Sequence, residues 1–247
     1  LIALDMDGTT FNENHEISDE VKDSLFYAMS KGVKIAFISG REEFTVKEIL
    51  KSLKLDTYYG ALNGSLVSTT YSETPKFVKS LEKKYLFDII EIFENNGFSP
   101  IVSLKDFRLT KRKTTVYYRN NKTKQMAEYF IFTKNSKDEY VEIISKFINP
   151  EIARVRDVKQ YIKDNKLEEK VLKIGICQEY DVLKELDDKF TVTIKNEYTI
   201  SFSLPFFLEL MAKDTDKGSC LREICRLNNI DISETIAMGD GENDIPM

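Results

Sequence analysis

At 247 residues, 42% of them hydrophobic, the chain is long enough to bury one large core or two smaller ones and reads as a soluble globular protein. Its 36 Lys and Arg against 41 Asp and Glu leave a net charge of −5, which argues against a nucleic-acid partner. No apolar run approaches the ~18 residues of a membrane span, no basic-then-apolar leader precedes Leu1, and three cysteines (Cys177, Cys220, Cys225) at no metal-ligand spacing fit a reducing cytoplasm.

The chain opens on Leu1-Ile2-Ala3-Leu4, an apolar run that reads as a buried parallel strand, and continues into Asp5-Met6-Asp7-Gly8-Thr9-Thr10. Side chains two apart on an extended chain point the same way, so the strand delivers Asp5 and Asp7 towards one crevice, and Gly8 lets the backbone turn behind them. His15, the single histidine, reads as a loop residue. Ser18 is an N-cap ahead of acidic Asp19 and Glu20, and Val21, Leu25, Ala28 and Met29 share one helical face before Gly32 ends the helix. A strand over 33–38 ends in Ser39-Gly40-Arg41, and a helix is expected over 42–53. Strand, helix, strand, helix means a parallel sheet with crossover helices. Residues 61–67 look like a hairpin around Asn63-Gly64.

From about Phe77 the texture changes to denser charge and paired strands. The pattern predicts helices over 81–95, 126–132, 138–148 and 180–188, and strands over 99–104, 114–118, 171–177, 191–195 and 199–204. The basic tract Lys111-Arg112-Lys113 reads as a solvated hairpin loop, or as a face for an anionic substrate. After Pro205 the parallel texture returns, with a helix over 217–227 and a strand over 235–238. The expected fold is therefore α/β: a Rossmann-like parallel-sheet core from 1–80 and 205–247, with an inserted α+β domain from 81–204. Both ends read as cut, the first inside a strand and the last where Asn243-Asp244-Ile245-Pro246 would open a helix.

The second chemical cluster, Gly239-Asp240-Gly241-Glu242-Asn243-Asp244, follows that last strand. If the strand lies beside the first one, Asp5, Asp7, Asp240 and Asp244 converge. At a separation of about 4–5 Å, ionised carboxylates repel by several kcal/mol, so they crowd only around a cation. Oxygen ligands without His or Cys select a hard ion, with Mg²⁺ the default for phosphate chemistry. Ser39-Gly40, just before a helix, offers a hydroxyl and backbone N–H groups to an anion. Lys217 sits at a helix start, where its sign opposes the helix dipole, which suggests a task elsewhere.

In this order the four stretches resemble the motifs of the haloacid dehalogenase superfamily, and the large insert resembles its Cof-type subgroup with an α+β (type C2) cap. Ala61-Leu62-Asn63-Gly64 also resembles a family stretch, one beside the substrate pocket. Thr10 and Ser39 depart from the residues more usual there without removing a group the chemistry needs. The resemblance implies a Mg²⁺-dependent phosphatase of a small phosphorylated metabolite, such as a sugar phosphate, nucleotide or cofactor phosphate, acting through an aspartyl-phosphate. It casts Asp5 as nucleophile and Asp7 as general acid and base, with Ser39, Gly40, Asn63, Gly64, Asn243 and Lys217 holding phosphate or substrate. The metal falls to Asp5, Asp240, Asp244 and the backbone carbonyl of Asp7. A phosphomutase would use the same residues, and a non-catalytic phosphate-ligand sensor is the alternative from a different class.

Overall fold

The computed structural model describes residues 1–12, 16–111, 115–119, 126–130, 152–190, 192–204 and 207–247. Its elements, in chain order, begin with β1 (Ile2–Leu4), α1 (Asp19–Ser30), β2 (Ile35–Ile38), α2 (Glu43–Ser52), β3 (Tyr58–Ala61), β4 (Leu66–Thr69) and β5 (Phe77–Val78). Next come α3 (Lys83–Asn95), β6 (Ile101–Ser103), β7 (Arg108–Lys111), β8 (Thr115–Arg119), β9 (Met126–Phe130), β10 (Ile152–Val155) and α4 (Val158–Asp164). The remainder are β11 (Lys173–Cys177), α5 (Tyr180–Lys189), α6 (Val192–Glu197), β12 (Tyr198–Leu204), β13 (Phe207–Ala212), α7 (Lys217–Asn228) and β14 (Ile236–Met238). None of the described helices is long and apolar enough to cross a membrane.

The chain divides into two compact units, Leu1–Lys79 with Asp214–Met247, and Ser80–Lys213. In the first, the sheet order is β14-β1-β2-β3-β4-β5. The strands β14, β1, β2 and β3 are parallel, with Ala3 between Ala36 and Ala237, while β4 and β5 add antiparallel. This is the α/β core the alternation of elements predicts. Ser18 caps α1 by accepting from the Val21 backbone, and Leu25 is the buried member of the expected face; Val21 lies at its exposed margin. Small residues on the strands, Ala3 and Ala36, let α7 settle close, and with Ile38 they pack with Cys220, Leu221 and Ile224. At Gly60 an added Cβ would lie 2.1 Å from Cys220 Sγ, so only glycine admits the helix there.

The hairpin around Asn63-Gly64 is present, with Ala61 opposite Leu66, but its turn carries three consecutive left-handed residues: Leu62 at φ 53°, Asn63 at 53° and Gly64 at 101°. A left-handed leucine is costly, and it persists because the Leu62 N–H donates to Arg41 O (2.8 Å) and the Asn63 N–H to Ser39 O (3.0 Å). A Cβ on Gly64 would meet the Asp216 carbonyl oxygen at 2.5 Å, and backbone cannot yield as a side chain can. Gly64→Ala is therefore expected to cost about 2–4 kcal/mol, the sum of a left-handed penalty and an overpacking clash. Urea denaturation checks this; a loss under ~1 kcal/mol would mean that α7 can move away from the turn.

In the second unit the sheet order is β10-β7-β6-β11-β13-β12, antiparallel except for β10 beside β7, with β8 and β9 paired separately. Its core sets Val102, Leu109, Ile174, Ile176, Leu208 and Leu210 against Leu86, Ile89, Ile90 and Phe93 of α3. This is the α+β texture of the insert. Three details differ from the sequence reading. Residues 126–130 form a strand, not a helix: Met126, Ala127 and Glu128 are good helix formers, but pairing with β8 in register overrides propensity. Residues 192–197 form a helix, not a strand. The Val-Thr-Ile run alternates as a strand would, yet it forms a short helix that buries Ile194 in the core and leads directly into Tyr198, the buried first residue of β12. The expected boundary at 205 moves to Asp214, because β13 belongs between β11 and β12 in this sheet. The expected helix over 138–148, His15 and the Arg112-Lys113 part of the basic tract lie outside the described residues. Lys111 ends β7 and pairs with Glu94 at 2.8 Å.

Candidate active site

The carboxyl ends of β1 and β14 meet side by side, tied by the Asp5 N–H donating to Met238 O at 2.9 Å. The two acidic stretches of the sequence therefore come together. Carboxylate oxygens of Asp5, Asp240 and Asp244 lie within 4.8 Å of one another. Asp5 and Asp244 are buried and Asp240 is exposed. The Asp244 carboxylate is fixed from behind by the backbone N–H groups of Asp240 (3.1 Å) and Gly241 (2.9 Å), and Thr9 Oγ1 donates to Asp240 at 3.1 Å. Thr10, where an apolar residue was the expectation from family likeness, is buried and donates its hydroxyl to the Asp5 carbonyl at 2.5 Å.

Lys217 resolves its awkward place at the start of α7 here. The helix is capped by Asp216, whose carboxylate accepts from the Ser219 N–H at 2.6 Å while the Ser219 hydroxyl accepts from the Asp216 N–H at 2.9 Å. Lys217 Nζ, 2% exposed, donates to Asp5 and Asp244, each at 2.5 Å. Burial pushes the Asp5 carboxyl up to about 6, and the Lys217 ammonium pulls against that rise. One ammonium serves two of the three carboxylates, so the cluster keeps an excess of negative charge, with each pair at this spacing repelling by roughly 3 kcal/mol at an effective dielectric near 20. The donors are all oxygen and within one cation's reach; this set fits a hard divalent ion.

A second group lies on the neighbouring turns. Ser39, buried at the end of β2, accepts from the Arg41 N–H through Oγ at 3.2 Å. Gly40 lies against Asn63, whose Oδ1 would be 3.0 Å from a Cβ at residue 40. Asn243 Nδ2 donates to Asn63 Oδ1 at 3.2 Å, so the turn after β3 is tied to the acidic loop after β14. Gly64 instead backs onto the first turn of α7.

Asp7 is the member that the structure sets apart. Its carboxylate is not in the acidic trio; both oxygens receive the guanidinium of Arg41, Nε at 2.7 Å and Nη2 at 2.5 Å. The expected convergence of four carboxylates is therefore met by Asp5, Asp240 and Asp244 and not by the side chain of Asp7, for which the resemblance implies only the backbone carbonyl as a ligand. The sequence reading misses Arg41, Thr9 and Thr10 as site residues; the signal for Arg41 is its place directly after Ser39-Gly40, and for the two threonines their place in the stretch that begins at Asp5. Gly8 is shaped by the same loop: at φ 82° a Cβ would lie 2.1 Å from Asp240 Oδ2.

The chain resembles known proteins over its whole length. YxeH of Bacillus subtilis (strain 168) is 27% identical over 250 residues, covering 100% of this chain and 83% of that protein. The 5-amino-6-(5-phospho-D-ribitylamino)uracil phosphatase YcsE of the same organism is 26% identical over 252 residues, 100% of this chain and 79% of that one. The solved structure of a haloacid dehalogenase-like hydrolase from B. subtilis superposes with a TM-score of 0.79 at 20% identity, covering 100% of this chain and 85% of that one. The family described as haloacid dehalogenase-like hydrolase matches residues 2–247, and the chain belongs to it.

Proposed function

We propose that the protein is a Mg²⁺-dependent phosphatase of a small phosphorylated metabolite, working through a phosphoryl group carried on Asp5. The observation that carries this reading is the buried Asp5 carboxylate at the end of β1, oriented by Lys217 and flanked by Asp240 and Asp244. Asp5 attacks phosphorus in line, and a carboxylate, weak by itself, suffices where positive charge offsets that of the phosphoryl oxygens. Mg²⁺, held by Asp5, Asp240, Asp244 and the Asp7 carbonyl, would supply that neutralisation together with Lys217. Asp7 protonates the leaving oxygen and later takes a proton from the water that splits the acyl phosphate. Ser39, the backbone at Gly40, and Asn63 with Asn243 and Gly64 hold the transferring oxygens or the substrate beside them. The Ser80–Lys213 unit acts as a cap that selects the substrate among sugar phosphates, nucleotides and cofactor phosphates. A cytoplasmic setting suits three cysteines that form no disulfide.

The test is a panel of phosphorylated sugars, nucleotides and cofactors assayed with Mg²⁺, in EDTA and with Ca²⁺. Hydrolysis is expected to stop in chelator and return with Mg²⁺, with Ca²⁺ a poor substitute because it prefers more ligands at longer distances. Full turnover in EDTA would sink the metal assignment, and phosphate release from none of the panel would sink the phosphatase reading.

A further inference from the structure

The Arg41–Asp7 pair is more than the surface charge balance it resembles. Its side chains are 21% and 39% exposed, a setting in which an ion pair contributes about 0–1 kcal/mol to stability. Yet the geometry is built from several sides. The Arg41 backbone is pinned by its N–H on Ser39 Oγ (3.2 Å) and by the Leu62 N–H on its carbonyl (2.8 Å), the contact that sustains the left-handed Leu62. The guanidinium then lies 5.5 Å from the ring of buried Phe11, whose own N–H closes the turn after β1 on Met6 O at 2.8 Å. From that platform the planar fork makes its two parallel bonds to Asp7.

From this arrangement, which rests on the phosphatase reading above, we propose that Arg41 is the positioning residue for Asp7: set over the Phe11 ring and anchored between Ser39 and Leu62, it holds the Asp7 carboxylate in the orientation from which a proton passes to the leaving oxygen. A side chain in the turn after β1, at a site this open, has several rotamers to choose from; the fork selects one. Each carboxylate oxygen has two acceptor sites, so a fork that takes one on each does not preclude proton exchange through the other. Misplacing a catalytic group by ~1 Å costs about 10²-fold in rate, which sets the scale of the effect.

Arg41→Ala, Arg41→Lys and Phe11→Leu are assayed with Mg²⁺ against p-nitrophenyl phosphate, whose leaving group needs no proton, and against the sugar phosphate that wild type turns over fastest. Arg41→Ala should lose roughly 10–10²-fold in kcat on the sugar phosphate, with KM changed about threefold or less, and on the aryl ester should lose only a few-fold in the rate of the first p-nitrophenol burst, which reports loading of Asp5 before Asp7 is needed for hydrolysis. Arg41→Lys keeps the charge without the fork and should resemble Arg41→Ala, whereas added guanidinium should restore turnover to Arg41→Ala and methylammonium should not. Phe11→Leu should show a milder version of the same split between substrates. A p-nitrophenol burst slowed as much as sugar phosphate turnover, full rescue by lysine, or a loss confined to KM would overturn the proposal and make Arg41 a phosphate anchor or a structural residue. An Arg41 Nε–H resonance unaffected by Asp7→Asn would also overturn it, with no reference to activity. Wild type inert towards every phosphomonoester would instead take down the phosphatase reading and the clamp's purpose with it.

Discussion

Asp5→Asn is expected to lower kcat by about 10⁴-fold or more while leaving the fold intact. The asparagine keeps the volume of Asp5 and an oxygen that accepts from Lys217, now 2.5 Å from the carboxylate, but it is no nucleophile and a poorer metal ligand. Removing one charge from a trio of carboxylates relieves repulsion, so its Tm without Mg²⁺ should equal or exceed that of wild type. Asp7→Asn differs, because the group it removes only moves a proton, worth about 10²–10⁴-fold. On an aryl phosphate that variant should still load the enzyme and unload it slowly. Mass spectrometry after acid quench should then find phosphate on Asp5 in Asp7→Asn and none in Asp5→Asn. Phosphate on any other residue, or equal activity of the two variants, would overturn the division of labour between them.

What could be read from the sequence follows from which interactions are local. The strands β1 and β2 are short apolar runs closed by turn chemistry, and their parallel pairing follows from the intervening helix. The meeting of Asp5 with Asp240 and Asp244 was inferable because a parallel sheet aligns carboxyl ends, once β14 was placed beside β1. Side-chain direction was another matter. Two-residue spacing puts Asp5 and Asp7 on one side only while the chain stays extended. The strand ends at Leu4 and the turn that follows takes Gly8 to φ 82°, so Asp7 leaves the acidic trio for Arg41. In the inserted unit, the mistaken helix at β9 and the mistaken strand at α6 are both short segments whose state is decided by a distant partner. The return to the first unit was placed too early for a related reason: β13 is an apolar run that suits either sheet, and its pairing with β11 and β12 settles the matter.

Lys217→Met should give the largest effect on stability and should couple it to the metal. Methionine matches the length of lysine and is at home in a buried site, but it leaves Asp5 and Asp244 without the ammonium that now lies 2.5 Å from each. Breaking a buried pair by deleting one partner typically costs about 3–5 kcal/mol, because the charge left behind is neither solvated nor paired. The loss should be largest in EDTA. A divalent cation bound by Asp5, Asp240 and Asp244 restores positive charge to the same oxygens, so Mg²⁺ should raise the Tm of the variant by more than it raises that of wild type. Activity should stay low even when Mg²⁺ has restored the fold, since Lys217 also orients Asp5 for attack. Thermal unfolding of both proteins across a Mg²⁺ titration measures the coupling. If Lys217→Met melts with wild type in EDTA, the ammonium is not what holds these carboxylates together; if Mg²⁺ shifts both proteins equally, the cation does not bind at this cluster.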